Sequence, residues 1–472
     1  MMVRLQRLFS GAQLWVLAVV GAVLIGSLVL GAQPRALVLV ALAAVVGLVI
    51  LLRRPATGPV VLILAALLLR KEFGTGTAVT LNLVALLIPA LVVLWFVEMV
   101  LSHQVSLVPS RVNRPLWLFL LAGLVSVLVG NALWDPAAPR SDNLILVQLA
   151  QWAIFAFSAG AFWLMANRIS NAAMLQRSTF VFLALAGSLA ILIVLGRLTG
   201  SLQLYQLLET ATTFAVQRAP FWMLLAALTA GQLLFNRELA SAWRVFLGAV
   251  MGAVVVYALY FERQTLANWL GIAAAIGLLG WLRWPRLRWI VILVFLAMLL
   301  TGFLFSALFE FAGGEAEWAE SGGSRLVLIG RVLEVTMRNP ITGLGPGSYR
   351  LYAGMEPLSY GPAYWISPQI NSHNNYVDLF AHVGVLGLAL FSWFAIELAR
   401  LGLRLRTCFT QGFAAGYVNG ALAAGFGALV LMMFADWILP FVYNIGFLGF
   451  QASVLVWLFL GGLVTLEQIA HA

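Results

Sequence analysis

The sequence has few charged residues and almost no cysteine or lysine. Cys408 is its only cysteine and Lys71 its only lysine. The cysteine count excludes an intrachain disulfide framework and a cysteine-based metal site. Four histidines are also too few for a histidine-rich metal site, although a site made only of carboxylates and amides stays open. Because charged residues make up only 9% of the chain, no water-soluble domain of ordinary size can be separated from the rest.

Long apolar runs make up most of the sequence. The chain is 63% hydrophobic and its mean hydropathy is +1.00. A transmembrane helix needs about 20 mostly apolar residues. The sequence therefore predicts an all-α, polytopic membrane helical bundle of about 14 transmembrane helices (12–14), forming one structural unit. The predicted spans are 14–32, 36–52, 59–70, 79–101, 115–133, 144–166, 178–196, 219–235, 245–261, 265–281, 289–309, 376–398, 412–435 and 442–463.

The basic residues predict the sidedness of the bundle. With the N-terminus in the cytoplasm, more than half of them fall in loops on the cytoplasmic side, as the positive-inside rule requires. Both termini are then cytoplasmic. The net charge of +10 indicates contact with anionic lipid head groups rather than nucleic acid. The chain divides into eleven spans (1–309), one large extracytoplasmic loop (310–375) and three further spans (376–472).

The large loop exceeds the usual length of a connection in a compact protein, which indicates a functional segment. A helix is predicted over 324–338, because an apolar periodic stretch ends there at Asn339-Pro340. Leu328, Val332 and Val335 form one apolar stripe. The helix is therefore expected to lie on the membrane surface or on the bundle.

Polar and charged side chains gather on the predicted extracytoplasmic side. They are Arg218, Glu262, Arg263, Arg325, Arg331, Arg338, His373, Asn374, Asn375 and Asp378. An arginine at the end of a span commonly binds a lipid phosphate, and Glu262 could simply neutralise Arg263. His382 is interpreted as a packed intramembrane histidine. Asn374 and Asp378 are four residues apart and share a helix face if the helix starts by Asn374.

Taken together, these residue types suit chemistry on a diphosphate. Arginine presents a fixed fork of donors that matches phosphate oxygens. Two or more arginines can stabilise a leaving diphosphate without a metal or another cofactor. A histidine can take the proton of an attacking hydroxyl. The pattern indicates transfer of a sugar from a lipid diphosphate to a hydroxyl acceptor at the outer membrane–water interface.

Two stretches resemble the O-antigen ligase and O-antigen polymerase-like superfamily: SRLVLIGRVLEVTMRNPITGLGPGSYR and HNNYVDLFAHVGVLGLAL. Both fall within 310–398, and the resemblance is specific over about 324–390. It is looser at Arg218 and Arg263, and the chain departs from the family pattern at Ile329 and Glu262. The matching residues are Arg325, Pro340, Gly343, Gly345, His373 and Asn374.

The resemblance implies an inverting, metal-independent glycosyltransferase of the bacterial cytoplasmic (inner) membrane. Its donor would be a glycan on undecaprenyl diphosphate. In ligases the acceptor is lipid A–core, and in polymerases it is another lipid-linked repeat unit. Membrane lipids are the other expected partners, and nucleic acid is not one.

The resemblance also implies roles for individual residues. Arg218, Arg263 and Arg325 would hold the diphosphate. His373 would activate the acceptor hydroxyl, and Asn374 would position His373. Side chains that could support this site are Asp378, Arg331, Asn375 and Glu262.

Three functions are compatible with the sequence. A ligase is the first and a repeat-unit polymerase is the second, since the fourteen predicted spans suit the polymerase branch at least as well. The third, from another class, is a flippase for lipid-linked oligosaccharides or a small-solute transporter. A flippase would place arginines along a central cavity within the spans, whereas the candidate arginines gather at one face.

Overall fold

The computed structural model describes residues 55–74, 80–103, 107–263, 265–302, 306, 323–355 and 372–471. The spans predicted at 14–32 and 36–52, and residues 310–322 and 356–371 of the large loop, lie outside the described residues. The described helices and strands are, in chain order, α1 (Gly58–Leu68), β1 (Glu72–Gly74), β2 (Thr80–Asn82), α2 (Leu83–Ser102), α3 (Asn113–Ala132), α4 (Leu144–Arg168), α5 (Ala172–Thr199), α6 (Leu202–Ala211), α7 (Ala219–Phe235), α8 (Ser241–Val256), α9 (Leu266–Arg283), α10 (Arg288–Leu300), α11 (Gly323–Thr336), α12 (Tyr349–Ala353), α13 (Asn375–Cys408), α14 (Gly412–Leu431) and α15 (Gly446–His471).

The protein is an all-α membrane protein. Eight of the described helices are long and apolar enough to cross a membrane: α2, α3, α4, α5, α8 with the π-helical turn Tyr257–Phe261, α13, α14 and α15. Four shorter apolar helices, α1, α7, α9 and α10, coincide with other predicted spans. The structure differs from the predicted spans at the start of α2. The span predicted from residue 79 begins with β2, which pairs antiparallel with β1, and α2 starts only at Leu83, where the Asn82 side chain accepts a hydrogen bond from the Ala85 amide.

The last helix, α15, lies in the middle of the bundle. Along its apolar 18-residue stretch, α15 is 94% buried inside the protein, and this helix packs against α4. Beside it, α14 packs against α7 and α9. The contact between α7 and α14 is close because it is made by glycines: a Cβ on Gly231 would lie 2.6 Å from the Gly416 carbonyl oxygen. Small residues at helix contacts let backbones approach in this way in membrane proteins.

Helix α11 packs on the bundle rather than lying free on a membrane surface. It ends at Thr336, two residues earlier than the sequence predicts. The predicted stripe of Leu328, Val332 and Val335 is buried. Val332 and Val335 belong to a small core that also includes Ala381 of α13. Apolar burial therefore fixes α11 against the first turns of α13.

The loop that follows α11 enters a break in α13. Gly384 has φ +67° inside the helix, which interrupts its own hydrogen bonding. The amides of Val385 and Leu386 instead donate to the carbonyl oxygens of Pro340 (2.9 Å) and Ile341 (3.1 Å). In return the Leu344 amide donates to the Ala381 carbonyl, 2.8 Å away. The loop thereby pairs the backbone groups that the break leaves open, as a buried segment requires.

Replacing Gly384 with alanine tests this docking. The backbone at this position, with φ +67° and ψ −172°, is essentially restricted to glycine and disfavours a Cβ by about 1–3 kcal/mol. The added carbon would also overlap the Ile341 carbonyl, and such overpacking costs about 1–3 kcal/mol. We expect a clearly lower thermal unfolding midpoint for purified Gly384→Ala protein in detergent. Gly330→Ala on α11 is the control, because a Cβ there meets no atom within 4 Å. Equal midpoints for the two variants would contradict the docking.

Candidate active site

The connection between α14 and α15, residues 432–445, covers the end of the bundle to which α11 docks. Most of this connection is buried. Asn375, at the first position of α13, holds it with three side-chain hydrogen bonds. The Asn375 Oδ1 accepts from the amides of Ile438 and Leu439 (both 3.2 Å), and its Nδ2 donates to the Leu439 carbonyl (2.9 Å). The backbone N–H of Asn375 also donates a hydrogen bond to the Met432 carbonyl oxygen at 2.8 Å. Asn375 is fully buried.

His373 lies beside this connection in a left-handed conformation, with φ +55°. Such a conformation is uncommon for a residue other than glycine and costs about 1 kcal/mol or more. The His373 Nδ1 is 3.7 Å from Oδ1 of Asp436, which is within ion-pair range but longer than a hydrogen bond. The His373 side chain is 35% exposed, whereas that of Asp436 is only 4% exposed. One edge of the imidazole thus faces a buried carboxylate while the side chain stays accessible.

Asn374 caps α13 rather than contacting His373 directly. Its Oδ1 accepts from the amides of Tyr376 (3.0 Å) and Val377 (3.2 Å), as an N-cap residue does. Its Nδ2 donates to the Met433 carbonyl at 3.0 Å. Asn374 therefore anchors the turn that carries His373 to both α13 and the 432–445 connection.

Asp378, one turn into α13, ties down the chain just before His373. Its Oδ1 accepts from the amide (3.0 Å) and the hydroxyl (2.8 Å) of Ser372. Its backbone amide donates to the Asn374 carbonyl, so the two residues lie one helical turn apart as predicted. Asp378 is buried, which makes it a supporting residue of the turn rather than a group open to a ligand.

Two of the predicted arginines contact the 432–445 connection. The Arg218 guanidinium lies over the rings of Phe214 (3.7 Å) and Trp437 (5.3 Å), which is cation–π geometry. Burial lowers the pKa of the Arg218 guanidinium, and the neighbouring Tyr257 and Glu262 oppose that shift; an arginine remains charged at physiological pH nonetheless. Arg325, in the first turn of α11, donates from Nη1 to the Phe434 carbonyl at 3.2 Å.

The pairing suggested for Glu262 and Arg263 is wrong. Glu262 pairs with Arg197 at the end of α5, with Nη1 2.8 Å from Oε1, and its Oε2 accepts from Asn268 at 2.9 Å. Arg197 also lies over the Tyr257 ring, at 5.6 Å. Arg263 is exposed, and no ion pair of its side chain occurs within the described residues.

The remaining predicted residues lie along or under α11. Arg331 pairs with Glu334 on the same helix, at 3.0 Å. His382 is buried, as interpreted: its ring stacks on Phe441 at 4.4 Å, and its Nδ1 accepts from the Gly347 amide at 2.7 Å. Among the described residues, no group of three or more histidine, cysteine or acidic side chains could hold a metal ion.

The structure thus brings Arg218, Arg325, His373, Asn374 and Asn375 to one connection and leaves Arg263 apart from it. Sequence reasoning missed the connection itself and two of its residues, Asp436 and Trp437. An acidic residue directly after the predicted span 412–435 was the available signal, because charge is rare in this chain.

These features define a multi-pass membrane protein with a site of arginines, a histidine and amides at one end of its helical bundle. Residues 263–392 match the family model described as O-antigen ligase. This match confirms the resemblance to the O-antigen ligase superfamily, and it includes Arg263, Arg325, His373 and Asn374. It supports an O-antigen ligase- or polymerase-like function in polysaccharide biosynthesis, with lipid-linked glycans as substrates. No curated protein matches the chain.

Asn375→Ala tests whether this amide holds the site together. The substitution leaves two amides and a carbonyl of the 432–445 connection without partners, and each buried group left unpaired costs about 1–3 kcal/mol. We expect a markedly lower thermal unfolding midpoint in detergent. Ser392→Ala, which removes one exposed hydroxyl from the same helix, should change the midpoint little. An unchanged midpoint for Asn375→Ala would mean that the connection is held by other contacts.

Proposed function

We propose that this protein transfers a glycan from undecaprenyl diphosphate to an acceptor hydroxyl, at the end of the bundle that carries His373. The observation that supports this most directly is the convergence of Arg218, Arg325 and His373 on the 432–445 connection. Two forked cations and one accessible imidazole are the groups that departure of a diphosphate and deprotonation of a hydroxyl require. The family match over residues 263–392 supports the same class of substrate.

The arginines would bind the diphosphate of the donor. Arg218 and Arg325 are each held in place by the 432–445 connection, so their guanidinium groups are oriented before the substrate arrives. Preorganised cations stabilise the charge that develops on a leaving diphosphate. Arg263 is exposed, which leaves its donors available to a phosphate oxygen. Glu262 would set the position of Arg197 rather than of Arg263.

His373 would serve as the base for the acceptor. The acceptor hydroxyl gives its proton to the imidazole, and its oxygen bonds to the anomeric carbon of the donor. The bond from that carbon to the diphosphate oxygen breaks on the opposite face, so undecaprenyl diphosphate leaves and the configuration inverts. Asp436 would stabilise the imidazolium, because its carboxylate lies 3.7 Å from Nδ1. No metal is needed in this scheme, since the arginines carry the charge of the leaving group.

Asn374 and its neighbours would hold His373 for this step. Asn374 and Asp378 fix the two ends of the turn around it, and Asn375 fixes the connection that bears Asp436. Arg331 would support α11, on which Arg325 is carried. These residues act through position and do not touch the reacting atoms.

A ligase that uses a lipid A–core acceptor is the preferred form of this proposal, and a repeat-unit polymerase is its alternative. Both use the same donor and the same site. We place the protein in the bacterial cytoplasmic membrane, with both termini in the cytoplasm and the site extracytoplasmic. A transporter is disfavoured because the candidate arginines lie at one end of the bundle rather than along it.

His373→Ala tests the proposed base. Removal of the imidazole leaves no proton acceptor for the hydroxyl, and loss of a general base typically costs about 10²–10⁴ in rate. We expect transfer from purified undecaprenyl diphosphate-linked glycan to fall by that factor, with the protein still folded in detergent. His103→Ala is the matched control, since His103 is exposed and also has a positive φ. Normal turnover by His373→Ala would remove His373 from the mechanism.

Arg325→Lys tests the forked contact to the diphosphate. Lysine keeps the charge but offers a single point of donation, so an impaired variant indicates that geometry matters as well as charge. We expect at least about a tenfold loss of kcat/KM for the donor, which corresponds to about 1.4 kcal/mol. The control is Arg111→Lys, an exposed arginine just before α3. Near-normal donor kinetics for Arg325→Lys would argue against diphosphate binding by this residue.

A further inference from the structure

A second pocket lies beyond the far end of α11. It occupies about 390 Å³ between that end and the connection of α3 to α4. Its principal lining side chains are Trp134, Asp135, Arg338, Asn339 and Tyr352. None of these residues has a part in the site around His373. Arg338 and Asp135 are partly exposed, so the pocket is open to the outside of the bundle.

Two aromatic rings form one wall of the pocket. The rings of Trp134 and Tyr352 are 4.7 Å apart and tilted by 46°. The polar ends of both are already engaged: the Trp134 Nε1 donates to the Ala138 carbonyl at 3.2 Å, and the Tyr352 hydroxyl accepts from the Asp135 amide at 3.2 Å. Trp134 is only half-buried. It therefore offers a fixed apolar ring to a ligand at little cost in side-chain freedom.

The polar side chains of the pocket carry no net charge. Asp135 and Arg338 form an ion pair with each other, and the Arg338 guanidinium lies 5.9 Å from the centre of the Tyr352 ring. The buried Nδ2 of Asn339 has no hydrogen-bond partner among the described residues, while its Oδ1 accepts from the Thr342 hydroxyl at 3.1 Å. A buried donor without an acceptor is unfavourable. Because Asn339 lines the pocket, rotation of its side chain would bring this donor to a ligand oxygen.

We propose that this pocket is a carbohydrate-binding subsite. A sugar ring combines an apolar C–H face, which suits Trp134, with neutral hydroxyls, which suit Asn339, Asp135 and Arg338. A phosphate or another anion is disfavoured because Asp135 neutralises Arg338. The ligand class is thus a neutral stretch of glycan.

The inference rests on the proposed function and extends it to the substrate. Arg325 lies in the first turn of α11, and Arg338 lies two residues beyond its last. A helix of this length spans about 20 Å. If the reacting sugar of a glycan lies at His373, the sugars that reach the pocket are therefore several units further along the glycan. The pocket would select for glycan length.

Transfer kinetics with two donors test the subsite. One donor is the undecaprenyl diphosphate-linked glycan extracted from the producing cells, and the other carries a single sugar. We expect Trp134→Ala to lower kcat/KM about three- to tenfold for the full glycan, and not for the single sugar. A rise in KM for the donor assigns the pocket to the donor glycan, and a rise in KM for the acceptor assigns it to the acceptor glycan. An equal effect on the two donors, with no rise in the KM for the acceptor, overturns the proposal.

Asn339→Asp and Trp289→Ala complete the comparison. Asn339→Asp keeps the size and the acceptor oxygen but removes the unpartnered donor, so it tests the pocket even if Trp134→Ala folds poorly. It should also reduce kcat/KM for the full glycan selectively, by about two- to tenfold. Trp289, 74% exposed on α10, is the control and should have no effect on either donor.

Calorimetry separates this proposal from the proposed function. The probe is the same glycan released from its lipid by mild acid, titrated into the protein in detergent. Binding to the unmodified protein that Trp134→Ala abolishes supports the subsite, even if neither donor is transferred and the proposed reaction fails. Absence of glycan binding, in a protein that transfers both donors, overturns the subsite and leaves the reaction standing.

Discussion

The side-chain amide of Asn375 is the interaction on which the rest of the site depends. It is fully buried at the start of α13 and fixes the 432–445 connection through both of its polar atoms. A buried amide is stable only when its donors and acceptors are paired, so this arrangement permits one position of the connection. Asp436, Trp437 and the Phe434 carbonyl belong to that connection, and through them His373, Arg218 and Arg325 take their places.

A second constraint acts from the opposite side of the site. The left-handed Gly384 opens α13, and the loop after α11 supplies the backbone partners that the break requires. Gly343 permits this contact, since a Cβ there would lie 2.6 Å from the Gly384 amide nitrogen. The glycines of the signature are thus explained by backbone packing, whereas Arg325 and His373 carry the polar groups. These contacts fix the C-terminal end of α11, and Arg325 and Arg338 lie near opposite ends of this helix.

The sequence predicted the helical class well because each span is a long apolar run that can only be a helix in a membrane. It also predicted α11, whose apolar stripe and Asn339-Pro340 stop are local signals. It left open a pairing of Glu262 with Arg263, since nothing in the local sequence reveals that Arg197, at the end of the neighbouring helix α5, lies within reach of Glu262. Asp436 was missed for the same reason, because its proximity to His373 depends on the path of the connection between α14 and α15. Asn374 stays a predicted positioning residue, and its N-cap contacts anchor the turn that carries His373.

The measurement that tests the central claim most directly is the size distribution of glycans left on undecaprenyl diphosphate in cells that lack this protein. Transfer of glycans from this carrier predicts that unused donor accumulates. Full-length chains would identify a ligase, and single repeats on the outer leaflet would identify a polymerase. Single repeats confined to the cytoplasmic leaflet would indicate a flippase instead. A distribution identical to that of cells with the protein would contradict the account.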